Sequence, residues 1–131
     1  MTISKANKKL LHTFLSALIA DAQLVARLTD EICDEFAAHG ENLPMTELYS
    51  AAVRRFDEIR RIRKKDLTYP TSERMLRYHR VPPTFRPAFV LCDMLKFSYS
   101  NAASVCNRPI GTIRSRINRA SNSLKPAVVA A

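Results

Sequence analysis

The chain of 131 residues contains no tryptophan and only two glycines, Gly40 and Gly111, so it has no glycine-rich loop able to cradle a phosphate. Its three histidines, His12, His39 and His79, lack metal-site spacing. Cys33, Cys92 and Cys106 form an odd, widely spaced set, each able to pack as a small hydrophobe, which suggests a reducing compartment. Asp30, Glu31, Asp34 and Glu35 cluster, but without the glycine turn and alternating ligands of a calcium loop. No stretch is long and apolar enough to cross a bilayer. These absences argue against an enzyme, and no cofactor, metal or catalytic residue is expected. One further absence is local: no acidic residue follows Asp93.

What is present is basic. Lys and Arg number 21 against 12 Asp and Glu, a formal net charge of +9. Such a balance favours polyanionic partners without separating DNA from RNA or an acidic membrane. Hydrophobic residues make up 47% of the chain, enough for a folded core, and the length allows one domain or two small ones.

Residues 89–124 read as a helix-turn-helix. Phe85, Ala88, Phe89, Cys92 and Leu95 recur at three- and four-residue steps and mark one buried helical stripe. Ser98 offers a cap to a second helix, in which Tyr99, Ala102, Ala103 and Cys106 share a face. Asn107, Arg108 and Pro109 form the break. In the third helix Ile110, Ile113, Ile117, Ala120 and Leu124 recur at steps of three and four, predicting a sealed stripe. Gly111, Ser115, Asn118, Arg119 and Asn122 centre the opposite face, flanked by Arg114 and Arg116. That face is cationic with no carboxylate to pair four residues away. Arginine and asparagine bond bidentately to guanine and adenine edges, and arginine and serine also reach phosphate, so the pattern points to DNA.

The same residues resemble region 4 of the extracytoplasmic-function group of bacterial sigma factors. Val81, Pro82, Pro83 and Arg86 match the opening of that region, and Ser98, Tyr99 and Ala103 match its second helix. The most specific stretch is Pro109, Ile110, Gly111, Thr112, Ile113, Arg114, Ser115, Arg116, with Arg119 and Ala120 after it. Asn101, Cys106, Asn107 and Ser121 depart from the family pattern. The resemblance implies a third helix lying in the major groove of the minus-35 promoter element. Arg114, Ser115, Asn118 and Arg119 would then contact bases or phosphates, with Thr112 and Arg116 as backbone anchors.

Upstream, Leu11, Phe14, Leu15, Leu18, Ala22 and Val25 share one stripe, predicting a long core helix rather than a secretory signal and favouring a cytoplasmic protein. Thr29 or Asp30 is expected to cap a shorter helix bearing Ile32, Cys33, Phe36 and Ala37. A third helix starts about Met45, burying Leu48, Ala52, Phe56 and Ile59. Residues 48–64 resemble sigma region 2 more weakly. Asp57, Arg60, Arg61 and Lys64 fall near family positions, and Tyr49 and Phe56 read as core. That likeness implies DNA-backbone contacts at Arg60, Arg61 and Lys64, and polymerase docking at Asp30, Glu31, Asp34 and Glu35.

The expected fold is all-α. Residues 1–65 form a helical region like a truncated sigma region 2, 66–83 a linker, 84–126 the helix-turn-helix and 127–131 a frayed tail. The leading functional expectation is a sigma factor with promoter DNA and core RNA polymerase as partners, an anti-sigma factor as a further one, and no membrane. A free-standing helix-turn-helix regulator and a sigma-like mimic that occupies an anti-sigma factor remain open as alternatives.

Overall fold

A computed structural model describes residues 3–62 and 73–125. Lys64, residues 66–72 of the expected linker and the expected tail lie outside the described residues. Within them the chain is all-α, as expected: seven α-helices and one 3-10 turn, with no strand.

The first helix, α1 (Lys5–Leu18), is capped by Ser4, whose hydroxyl accepts from the Asn7 amide at 3.2 Å. It buries Leu11, Phe14, Leu15 and Leu18, the expected stripe. The helix does not continue to Val25. Ile19 turns to extended backbone, and Asp21 opens α2 (Ala22–Phe36) by accepting from the Leu24 amide at 3.1 Å. Nor does a separate helix begin at Thr29 or Asp30. The Thr29 hydroxyl is buried inside α2 and donates back to the Val25 carbonyl at 2.7 Å, which removes it as a cap. Ile32 and Cys33 extend the same apolar face.

A 3-10 turn, Ala37–Asn42, leads to α3 (Met45–Ile62), which starts where the sequence predicts and buries Leu48, Ala52 and Phe56. Tyr49 is core as expected, its ring edge-on to Phe14 at 5.0 Å and to Phe97 at 5.8 Å. Inside the stretch expected as a linker, α4 (Glu73–His79) turns Met75, Tyr78 and His79 inward. Then follow α5 (Arg86–Asp93), α6 (Tyr99–Cys106) and α7 (Ile110–Leu124).

One hydrophobic cluster runs through both halves, from Leu11 on α1 to Ala120 on α7. Polar bonds reinforce the seam. The Ser50 hydroxyl on α3 donates to the Val105 carbonyl on α6 at 3.1 Å, and His79 Nε2 donates to the Ser16 carbonyl on α1 at 2.8 Å. At the centre lies Arg86, 1% exposed, whose guanidinium donates to the carbonyls of Leu18 (2.8 Å), His79 (3.0 Å) and Val81 (2.8 and 3.0 Å). Leu18 ends α1 and His79 ends α4, so the cation sits where the negative ends of two helix dipoles converge. It also lies over the Phe56 ring at 5.9 Å. Burial pushes its pKa down to about 10, still far above neutrality, so the charge stays on.

Candidate nucleic-acid interface

Three short helices build the site. In α5 proline occupies the first turn, where a missing N–H costs nothing, and Ala88, Phe89, Val90 and Leu91 are buried. Ser98 caps α6 as predicted, its Oγ accepting from the Asn101 amide at 3.1 Å. Asn107 ends α6 in the left-handed region at φ 53, ψ 50, and the Arg108 amide closes back on the Ala103 carbonyl at 3.1 Å. Asparagine tolerates this conformation better than most residues because its short amide bonds locally. Pro109 then sits just before α7, which packs against α6, where Ala102 is fully buried.

Ile113, Ile117 and Ala120 are buried and Leu124 partly so, fixing the rotation of α7. The predicted stripe is not sealed at its first member. Ile110 is 42% exposed, because α7 has not yet entered the core at its first residue. Tyr99 is a second correction: expected on the buried face of α6, it is 41% exposed at the first position of that helix.

The outward face carries the predicted residues together. Gly111, Arg114, Ser115, Asn118, Arg119 and Asn122 are exposed, and Thr112 and Arg116 are half-buried on its flank. A Cβ at Gly111 would meet nothing, so packing does not demand glycine there. The guanidinium carbons of Arg114 and Arg119 lie 5.9 Å from the ring centroids of Tyr99 and Phe85 respectively. Sequence reasoning missed both stacks, since the ring and the cation sit on different helices. Asp93, the last carboxylate in the chain, accepts from Arg77 at 3.3 Å and from the Tyr78 hydroxyl at 2.9 Å. Burial pushes its carboxyl up, but those hydrogen bonds outweigh it and hold it below its usual range. The cationic face of α7 therefore keeps its charge unneutralised by this acid.

Cys106 lies under the turn, its thiol pushed up to about 12 by burial although Arg116 pulls the other way, which makes it an inert packing group at neutral pH. Among the described residues no group of three or more His, Cys, Asp or Glu is placed to hold a metal, and no helix is long and apolar enough to cross a membrane.

The other candidate residues fall elsewhere. Asp30, Glu31, Asp34 and Glu35 are all exposed on α2, with Asp30 paired to Lys8 at 2.8 Å and Glu31 to Arg55 at 3.0 Å. Such exposed pairs are screened by solvent and contribute little to stability, so they can be exchanged for a partner's charges. Arg60 is committed internally, to Asp57 and to the Thr84 hydroxyl at 3.0 Å each, whereas Arg61 is exposed.

Residues 79–124 match the family described as sigma-70, region 4. Named relatives agree. A probable RNA polymerase sigma-C factor of Mycobacterium bovis is 51% identical over 39 residues, 30% of this chain and 21% of that protein. The extracytoplasmic-function sigma factor EcfG of Rhodopseudomonas palustris is 42% identical over 45 residues, 34% of this chain and 25% of that protein. Residues 79–124 thus match sigma-70 region 4, and the relatives that share this stretch are RNA polymerase sigma factors. The matched part of the chain spans only a fifth to a quarter of each of these relatives. Likeness of fold reaches beyond region 4. The sigma factor RpoE of Bartonella quintana, solved in complex with the anti-sigma factor NepR, superposes with a TM-score of 0.74 at 22% identity, covering 91% of this chain and 89% of that one. Coverage of that extent includes the helices α1 to α3, so the N-terminal half shares the fold despite its weak sequence likeness.

Proposed function

We propose that the chain is a cytoplasmic sigma factor that joins core RNA polymerase and directs initiation by recognising a minus-35 promoter element through α7 of region 4. The observation that carries this reading is the outward face of α7, where Arg114, Ser115, Asn118 and Arg119 are exposed together on a helix whose other side is buried. Arg114 and Arg119 suit bidentate contacts to guanine edges and Asn118 to adenine, with Ser115 on a base or phosphate and Thr112 and Arg116 on the backbone.

In the N-terminal half, Asp30, Glu31, Asp34 and Glu35 form the polymerase-docking face, and Arg61 with Lys64 tracks DNA phosphates. Arg60 joins them by exchanging its bonds to Asp57 and the Thr84 hydroxyl for phosphate. The names of the relatives, RNA polymerase sigma factors, support polymerase as the partner. The anti-sigma complex of the structural neighbour supports an anti-sigma factor as a further one.

Two experiments test the reading. Arg114→Ala and Arg119→Ala are each expected to weaken promoter binding by about 1–3 kcal/mol, the worth of a bidentate base contact. Wild-type affinity in both mutants refutes the assigned face. A pull-down with core polymerase followed by in vitro transcription tests the rest. Binding with initiation is expected, and DNA binding without either identifies a free-standing regulator instead.

A further inference from the structure

Tyr99 does nothing for the core, yet it is not simply solvated. Its exposed ring stands at the start of α6 with the Arg114 guanidinium 5.9 Å from its centroid, within the range of a cation–π attraction. Phe85, beside the start of α5, holds the same distance from Arg119. The two arginines assigned to base edges thus each stand over a ring supplied by a different helix of the same unit.

We infer that Tyr99 is a positioning residue for Arg114, and Phe85 for Arg119, so that base discrimination depends on side chains that themselves read no base. This inference rests on the proposed promoter reading. The physical basis is conformational entropy. A long exposed arginine loses most of its rotamer freedom when its fork docks on a guanine edge. A ring that already restrains the guanidinium removes part of that cost before DNA arrives. The two interactions are compatible, because the attraction is to the cation as a whole at 5.9 Å and uses none of the N–H donors that dock on a base. Each ring comes from a helix other than α7, so the pose of the arginine is also tied to the crossing geometry of the helix-turn-helix.

The test is a double-mutant cycle on the full chain. A minus-35 duplex is first selected from a random pool with the wild-type protein. Affinities for it, and for variants changed at one base each, are then measured by fluorescence anisotropy over a salt series. Tyr99→Leu and Tyr99→Phe are made in the wild-type and Arg114→Ala backgrounds. Tyr99→Leu is expected to weaken binding about 2- to 5-fold, the worth of an exposed cation–π contact. It should relax discrimination at the same base as Arg114→Ala, leave the salt slope unchanged and leave the melting temperature near wild type. Tyr99→Phe should bind like the wild type, and Tyr99→Leu should cost nothing further once Arg114 is gone. An equal loss in both backgrounds, or weaker binding by Tyr99→Phe, assigns Tyr99 a contact of its own and overturns the inference. So does unaltered binding by Tyr99→Leu. Wild-type affinity of the single mutant Arg114→Ala overturns the inference for this pair, and wild-type affinity of Arg119→Ala as well overturns the promoter reading itself.

Discussion

Replacing Arg86 tests the account of the seam most severely, because two opposing effects must be weighed. Substitution by methionine keeps much of the side-chain volume and removes the charge. In proteins where a buried ion pair is replaced whole by apolar residues the exchange is often neutral or better, since desolvation of both charges is relieved. Here only one partner can be replaced. The acceptors are the backbone carbonyls of Leu18, His79 and Val81, which remain when the guanidinium goes. Hydrogen bonds from a charged group contribute about 1.5–3 kcal/mol each, so depriving three carbonyls costs roughly 4–9 kcal/mol. Against this stands the relief of a buried cation. Its pKa falls from 12.5 to about 10 through burial, equivalent to about 3 kcal/mol. The net expectation for Arg86→Met is a loss of about 1–6 kcal/mol, a large share of the roughly 5–15 kcal/mol that holds an ordinary domain together. Urea denaturation followed by far-ultraviolet circular dichroism reads it directly. Arg86→Lys should fall in between, as its ammonium lacks the planar fork that reaches three carbonyls at once. An Arg86→Met protein as stable as the wild type, or more stable, would refute the reasoning, by showing that water or relaxation satisfies those carbonyls.

Substitutions at two further positions probe other parts of the fold. Burial lowers the His79 pKa below its ordinary 6.5 although the Ser16 carbonyl raises it, so the folded state resists a proton that the unfolded chain accepts. Stability should therefore be full above pH 6.5 and fall as pH drops from there through the lowered folded value, and urea midpoints measured against pH should lose that step in His79→Gln. Asn107, at φ 53, should tolerate glycine within about 1 kcal/mol, whereas Asn107→Val should lower stability by about 1–2 kcal/mol, read as a drop in melting temperature. Equal melting temperatures for the two variants would mean that the turn between α6 and α7 is not held in its left-handed form.

The helix-turn-helix was legible in the sequence because its signals are local. A serine cap, an asparagine-proline break and an apolar repeat in α7 each act over a few residues, and tertiary packing reinforces all three. The junction of α1 and α2 was not legible for the converse reason. The apolar spacing of Leu18, Ala22 and Val25 passes straight through it, so periodicity argues for one helix while the capping bond of Asp21 makes two. Tyr99 was misplaced because a residue in the first turn of a helix can share its face and still project past its end. Arg86 was recognised only as part of a motif. Its acceptor on Leu18 lies 68 residues away, and a backbone carbonyl leaves no trace in residue type.

That distant acceptor has a consequence for how the chain can be divided. Sequence likeness marks out residues 79–124 as a transferable unit, one that could be lifted from its neighbours and grafted elsewhere. Arg86 binds that unit to the end of the first helix, so a fragment beginning at residue 79 carries a cation one of whose three carbonyl acceptors has been left behind. The stretch that sequence comparison treats as inherited whole is, in this protein, only part of what folds whole.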